Sequence, residues 1–87
     1  MPIKVAMIGA GSIGFTRRLI QDILGVPELH DARFALTDIS APNLGMVHQL
    51  CARDIRENKL PAQTSATTDR RAAIADADFI ICTIRQG

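Results

Sequence analysis

Eighty-seven residues, 47% of them hydrophobic and 22% charged, describe one globular unit that is too short for a two-domain enzyme and only marginally stable alone. A formal net charge of +1 spread over scattered Lys and Arg makes no electrostatic case for nucleic acid or a membrane surface as partner. No apolar run is long enough to span a bilayer and the first residues lack a secretory pattern, so a cytoplasmic protein is expected.

With three Phe and neither Trp nor Tyr, the core must be built from Ile, Leu, Val, Met and Ala, which suits a parallel sheet covered by helices. Residues 3–8 are almost continuously apolar and predict a buried first strand. That strand runs straight into Gly9-Ala10-Gly11-Ser12-Ile13-Gly14, and a helical pattern follows at once. In this strand, glycine turn and helix, Gly9 allows the tight turn, Gly11 lets backbone approach a pyrophosphate, and Gly14 lets the helix pack close to the sheet. The new helix would aim its free N–H groups and its positive dipole end at the phosphates.

From Ser12 to Leu24, the residues Ile13, Thr16, Ile20, Ile23 and Leu24 recur at helical spacing. Gly25 is expected to end this helix as a left-handed cap, with Pro27 preventing its continuation. Arg18 reads as a solvated residue; Arg17 either reaches the phosphates or a substrate, or shares that solvated face.

Arg33 to Thr37 predicts a second strand ending at Asp38, which follows Gly14 by 24 residues. That offset suits a carboxylate accepting hydrogen bonds from an adenosine ribose, and its charge would repel a 2′-phosphate. No Arg follows in Ile39-Ser40-Ala41-Pro42, so NAD is expected in preference to NADP. The plainer alternative is that Asp38 caps the next turn.

Ser40 as N-cap and Pro42 in the first turn predict a second helix from about Ala41 to Asn58, with Leu44, Val47, His48, Cys51 and Ile55 on one face. His48 and Cys51 lie three residues apart, close enough to share a metal, but they sit in an apolar stripe without further ligands and read as core. Cys51 and Cys82 are expected to be buried free thiols.

After Pro61, Gln63 to Thr67 predicts a weak, polar edge strand, and Asp69 a cap for a short helix through Ile74. Phe79 to Ile84, the most apolar run, reads as a central strand. Right-handed crossovers arrange four such strands in the order 3-2-1-4, an α/β, Rossmann-type doubly wound parallel sheet of which residues 1–87 supply the first half. Strand four would then be an exposed apolar edge, so the protein is expected to continue past Gly87, with the rest of this domain and a catalytic domain lying beyond it. The loop after strand four, Thr83 to Gln86, lies beside the topological switch point, where it should border the adenosine ribose and approach the nicotinamide and sugar.

Several segments together resemble glycoside hydrolase family 4, the NAD-dependent glycosidases. They are Gly9-Ala10-Gly11-Ser12, Phe15-Thr16-Arg17, Asp22-Ile23-Leu24, Leu36-Thr37-Asp38-Ile39, Thr68-Asp69-Arg70-Arg71-Ala72 and the run from Ala77 to Gly87. The match covers essentially the whole chain, and Phe15-Thr16-Arg17 is most similar to the α-galactosidase, α-glucosidase and α-galacturonidase branches.

The resemblance implies hydrolysis of an α-glycoside by transient oxidation at C3 with bound NAD, proton loss at C2 and metal-assisted elimination at C1. It also implies a divalent metal, usually manganese, held by a downstream Cys and His motif that nothing here matches, and a homo-oligomer at full length. His48, Cys51 and Cys82 therefore inherit no role, and these residues alone are expected to be inactive. What carries over is the cofactor site: Gly9, Gly11, Ser12, Ile13 and Gly14 at the pyrophosphate, Asp38 at the ribose, and Thr83, Ile84 and Arg85 nearby, with Arg85 a candidate substrate contact. Two other readings stay open, a lactate- or malate-type dehydrogenase and a non-catalytic nucleotide-sensing module.

Overall fold

In the computed structural model, which describes residues 3–11 and 13–82 with the side chain of Ile13 left aside, the first apolar run forms strand β1 (Lys4–Ile8). Helix α1 (Ile13–Leu24), a 3-10 turn (Pro27–Leu29) and strand β2 (Arg33–Thr37) follow. The chain continues through α2 (Ala41–Glu57), β3 (Gln63–Thr67), α3 (Arg70–Ile74) and β4 (Phe79–Cys82). The strands form one parallel sheet in the order β3-β2-β1-β4, as the alternation of strand and helix predicts.

Register gives this sheet a level rim. Ile8 pairs with Thr37 and with Cys82, and Thr37 pairs with Thr67, so the loops leaving β1, β2 and β3 start side by side. At the opposite end, the Lys4 N–H donates to Asp78 Oδ2 at 2.8 Å and the Asp78 N–H donates to the Lys4 carbonyl at 2.8 Å. That reciprocal pair fixes β4 against β1.

The period-2 alternation of the strands sorts side chains by size. Val5, Met7, Phe34 and Leu36 pack with Ile20 and Leu24 of α1 and with Leu44, Val47, Cys51 and Ile55 of α2 in one apolar cluster. Ala6 and Ala35, buried outside that cluster, leave room for the short α3, whose Ala73 is also buried. Large residues thus hold the two long helices, and small ones admit the third.

Three expectations change. Gly25 does not take a left-handed conformation; Gly9 is the glycine with positive φ among the described residues, and the Gly25 N–H donates to the carbonyls of Gln21 and Asp22. Ser40 occupies the N-cap position of α2, but its side chain makes no cap hydrogen bond. Cys82 is exposed, because β4 stands at the sheet edge. The expected exposed apolar edge is found at β4, where Phe79 and Ile80 are 58% and 54% exposed. The expected continuation of β4 through Thr83 and Ile84 lies outside the described residues.

Candidate nucleotide-binding site

The glycine turn is clamped from two directions. Gly9, with φ 81°, takes a conformation that side chains rarely adopt and turns the chain off β1. The N–H groups of Gly9 and Ala10 then both donate to the carbonyl of Thr37, the last residue of β2, at 2.9 and 3.0 Å. From the helix side, the buried Thr16 hydroxyl donates to the Ala10 carbonyl at 2.9 Å. A buried polar group is costly unless paired, so Thr16 is spent on holding this turn.

Asp38 follows Thr37 and meets the same turn. Its Oδ2 accepts the Gly11 N–H at 2.7 Å, and its Oδ1 accepts the Ser40 N–H at 2.9 Å. A Cβ at Gly11 would lie 2.7 Å from that Oδ2 and 3.3 Å from the Asn43 Cβ, so only glycine allows the carboxylate so close. Asp38 therefore does cap the following turn and also reaches across to the glycine loop. Each oxygen spends one lone pair on backbone, and an ionised carboxylate has about four acceptor sites, so capacity remains for a ligand hydroxyl.

A cavity of about 670 Å³ opens at this rim, lined by Ile8, Gly9, Gly11, Thr37, Asp38, Ile39, Ser40, Asn43, Thr68, Asp69 and Arg70. Its size suits a small ligand, and it lies at the carboxyl ends of parallel strands, where doubly wound sheets bind theirs. Ile39 is 98% exposed there and offers an apolar surface beside the carboxylate.

Of the residues expected to bind cofactor, Gly9, Gly11 and Asp38 are brought together around this cavity. Gly14 is exposed in α1, and a Cβ there would meet open space, so close packing of helix on sheet is not its task. Ser12, Thr83, Ile84, Arg85 and the side chain of Ile13 lie outside the described residues. Asn43, Thr68, Asp69 and Arg70 are lining residues that sequence reasoning missed. Thr68, Asp69 and Arg70 directly follow the carboxyl end of β3 and Asn43 lies in the first turn of the helix after β2, which is the signal that marks them.

Arg17 belongs elsewhere. Its Nε donates to Asp54 Oδ2 at 2.6 Å and its second guanidinium nitrogen to Asp54 Oδ1 at 2.9 Å, a bidentate pair across α1 and α2. The hydrogen bond and charge of Arg17 hold the Asp54 carboxyl below its ordinary value, with burial opposing. Cys51, 1% exposed on the same helix, has its thiol pushed up to about 11, chiefly by burial. His48 Nε2 lies 3.3 Å from the Thr64 carbonyl.

The family model described as "Family 4 glycosyl hydrolase" matches residues 4–87. The chain belongs to this family. It is 54% identical over 84 residues to an alpha-galactosidase of Rhizobium meliloti (strain 1021), covering 97% of this chain and 17% of that protein. It is 33% identical over 87 residues to an alpha-glucosidase of Erwinia rhapontici, covering 100% of this chain and 19% of the relative.

The crystal structure of a 6-phospho-alpha-glucosidase from gut microorganisms, in complex with NAD and Mn2+, superposes with a TM-score of 0.85 at 25% identity, covering 100% of this chain and 20% of that one. This family 4 chain thus spans under a fifth of the length of the curated relatives it matches. Membership decides against the lactate- or malate-type dehydrogenase reading. Among the described residues, no group of three or more His, Cys, Asp and Glu could hold a metal ion, and no helix is long and apolar enough to cross a membrane.

Proposed function

We propose that residues 1–87 form the first part of the NAD-binding domain of a cytoplasmic, homo-oligomeric family 4 glycosidase that hydrolyses an α-glycoside. The remainder of that domain and the catalytic domain would be supplied by other parts of the protein. The observation that carries this reading is the Asp38 carboxylate, held by the Gly11 and Ser40 N–H groups at the mouth of the rim cavity. Two neutral donors orient it without cancelling its charge, which suits an acceptor for ribose hydroxyls.

The residues present fit NAD. Gly9 and Gly11 line the rim cavity without side chains to fill it, Asp38 stands beside them, and Ile39 offers an apolar surface for the adenine. Bound NAD would supply reversible hydride exchange with C3 of the sugar, which makes the C2 proton acidic and allows elimination at C1 with no net redox change. In that scheme this chain positions the cofactor: Thr37 fixes the glycine turn, and Asp38 sets where the adenosine ribose sits. A divalent metal, by this reading Mn2+, would take its ligands from elsewhere in the protein, and none of the described residues is assigned to it.

The test is cleavage of p-nitrophenyl α-galactoside and α-glucoside by the full-length protein, with NAD and manganese each supplied or withheld after dialysis. Turnover that needs both is expected. Turnover indifferent to NAD overturns the reading, and NAD binding without turnover on any glycoside favours a sensing module instead.

A further inference from the structure

The sequence argues for NAD over NADP on two grounds, the charge of Asp38 and the lack of an arginine from Ile39 to Pro42. Strand pairing alters the second. Because β2 and β3 run parallel with Thr37 opposite Thr67, the loop after β3 lies beside the loop after β2, and Arg70 lines the same cavity as Asp38, Ser40 and Asn43. Arg70 is exposed at the first position of α3, and neither of the ion pairs among the described residues involves it. The cavity wall thus carries a carboxylate fixed by two backbone donors and, from the neighbouring strand end, a guanidinium held by no counter-charge.

We propose that Arg70 is a latent specificity residue of the cofactor site. The wild-type pocket rejects a 2′-phosphorylated adenosine through Asp38, and Arg70, which follows the second lining carboxylate Asp69, is the cation that receives the 2′-phosphate once the charge of Asp38 is gone. The proposal rests on the nucleotide reading above. Its physical basis is that a carboxylate beside a phosphate repels it, whereas a guanidinium meets phosphate oxygens through paired, charge-assisted hydrogen bonds. The pinned geometry of Asp38 sharpens the rejection, because a carboxylate bonded to both Gly11 and Ser40 cannot swing aside without giving up two hydrogen bonds.

Calorimetric titration of the full-length protein with 5′-AMP and with adenosine 2′,5′-bisphosphate tests it. Wild type should bind 5′-AMP at least about tenfold more tightly than the bisphosphate. Asp38→Asn, which keeps a carbonyl oxygen to accept one N–H, should tighten bisphosphate binding by about tenfold or more, and Asp38→Asn combined with Arg70→Ala should lose that gain. Asp38→Ser is a second neutral variant in case Asp38→Asn unfolds, with folding checked by circular dichroism. A gain that survives removal of Arg70 overturns the proposal, as does a folded neutral variant that gains nothing while wild type binds 5′-AMP. A wild type that binds neither nucleotide overturns the nucleotide reading and this proposal with it.

Discussion

At the sheet rim Asp38 is held by two backbone N–H groups, while in the seam between α1 and α2 Asp54 is held by the guanidinium of Arg17. All four hydrogen bonds are 2.9 Å or shorter, so distance does not separate the two carboxylates. The donors do. Neutral amides orient Asp38 and leave its charge facing a cavity, whereas Arg17 answers the charge of Asp54 and ties two helices together. Both regions share α2, which carries Asn43 in its first turn and Asp54 near its end. One helix therefore borders an open cavity and a closed structural seam.

Gly11→Ala should break the comparison most severely. Its Cβ would stand 2.7 Å from Asp38 Oδ2, so the carboxylate must move and Gly11 must lose its hydrogen bond. A stability loss of about 1–3 kcal/mol in urea unfolding is expected, as for other overpacked sites. Nucleotide affinity should fall by at least about tenfold in the same protein. Gly14→Ala is the matched control: its Cβ meets open space in a helix, and a gain of up to about 1 kcal/mol is expected.

Next comes the seam. Burial holds the Cys51 thiol near 11, so iodoacetamide at about pH 8 should leave it unmodified in the native protein and label it in denaturant. Mass mapping of the alkylated residue reads this directly, and native labelling of Cys51 would show that the seam opens.

A gentler probe is acid. Because Arg17 lowers the Asp54 carboxyl below its ordinary value of 3.8, the pair stabilises the fold above that value and the contribution disappears as pH falls through the lowered one. Asp54→Asn should remove this part of the acid transition and leave 5′-AMP binding unchanged. Asp38→Asn should change binding and leave the seam's acid response in place.

How much of this was legible follows from where each interaction is encoded. β1, β2 and the glycine turn are written in adjacent residues: apolar runs, Gly9 and Gly11, then Asp38 at the strand end. The polar β3 announced its edge position through Gln63, Thr64 and Ser65. Arg70 was hidden because it joins the cavity only through lateral pairing of β2 with β3, and the partner of Arg17 depends on how α1 crosses α2. Gly25 misled because glycine permits a left-handed cap without requiring one, and here its N–H stays within the helical pattern of Gln21 and Asp22.

The smallest effect is expected at the far end of α2, where Lys59 takes a positive φ of 54°. Its N–H donates to the Arg56 carbonyl and the N–H of Leu60 to that of Ile55, the paired bonds of a Schellman motif whose turning position favours glycine. Leu60 packs back against the core that contains Ile55, so the motif also anchors the helix end. A lysine there bears the steric cost of the left-handed region, while glycine would bring more backbone freedom to the unfolded chain. The first should narrowly prevail, and Lys59→Gly should stabilise by about 0.5–1 kcal/mol in urea unfolding. If it also shifted 5′-AMP affinity, 16 residues along the helix from Asn43, the two regions that α2 links would be energetically coupled rather than merely joined.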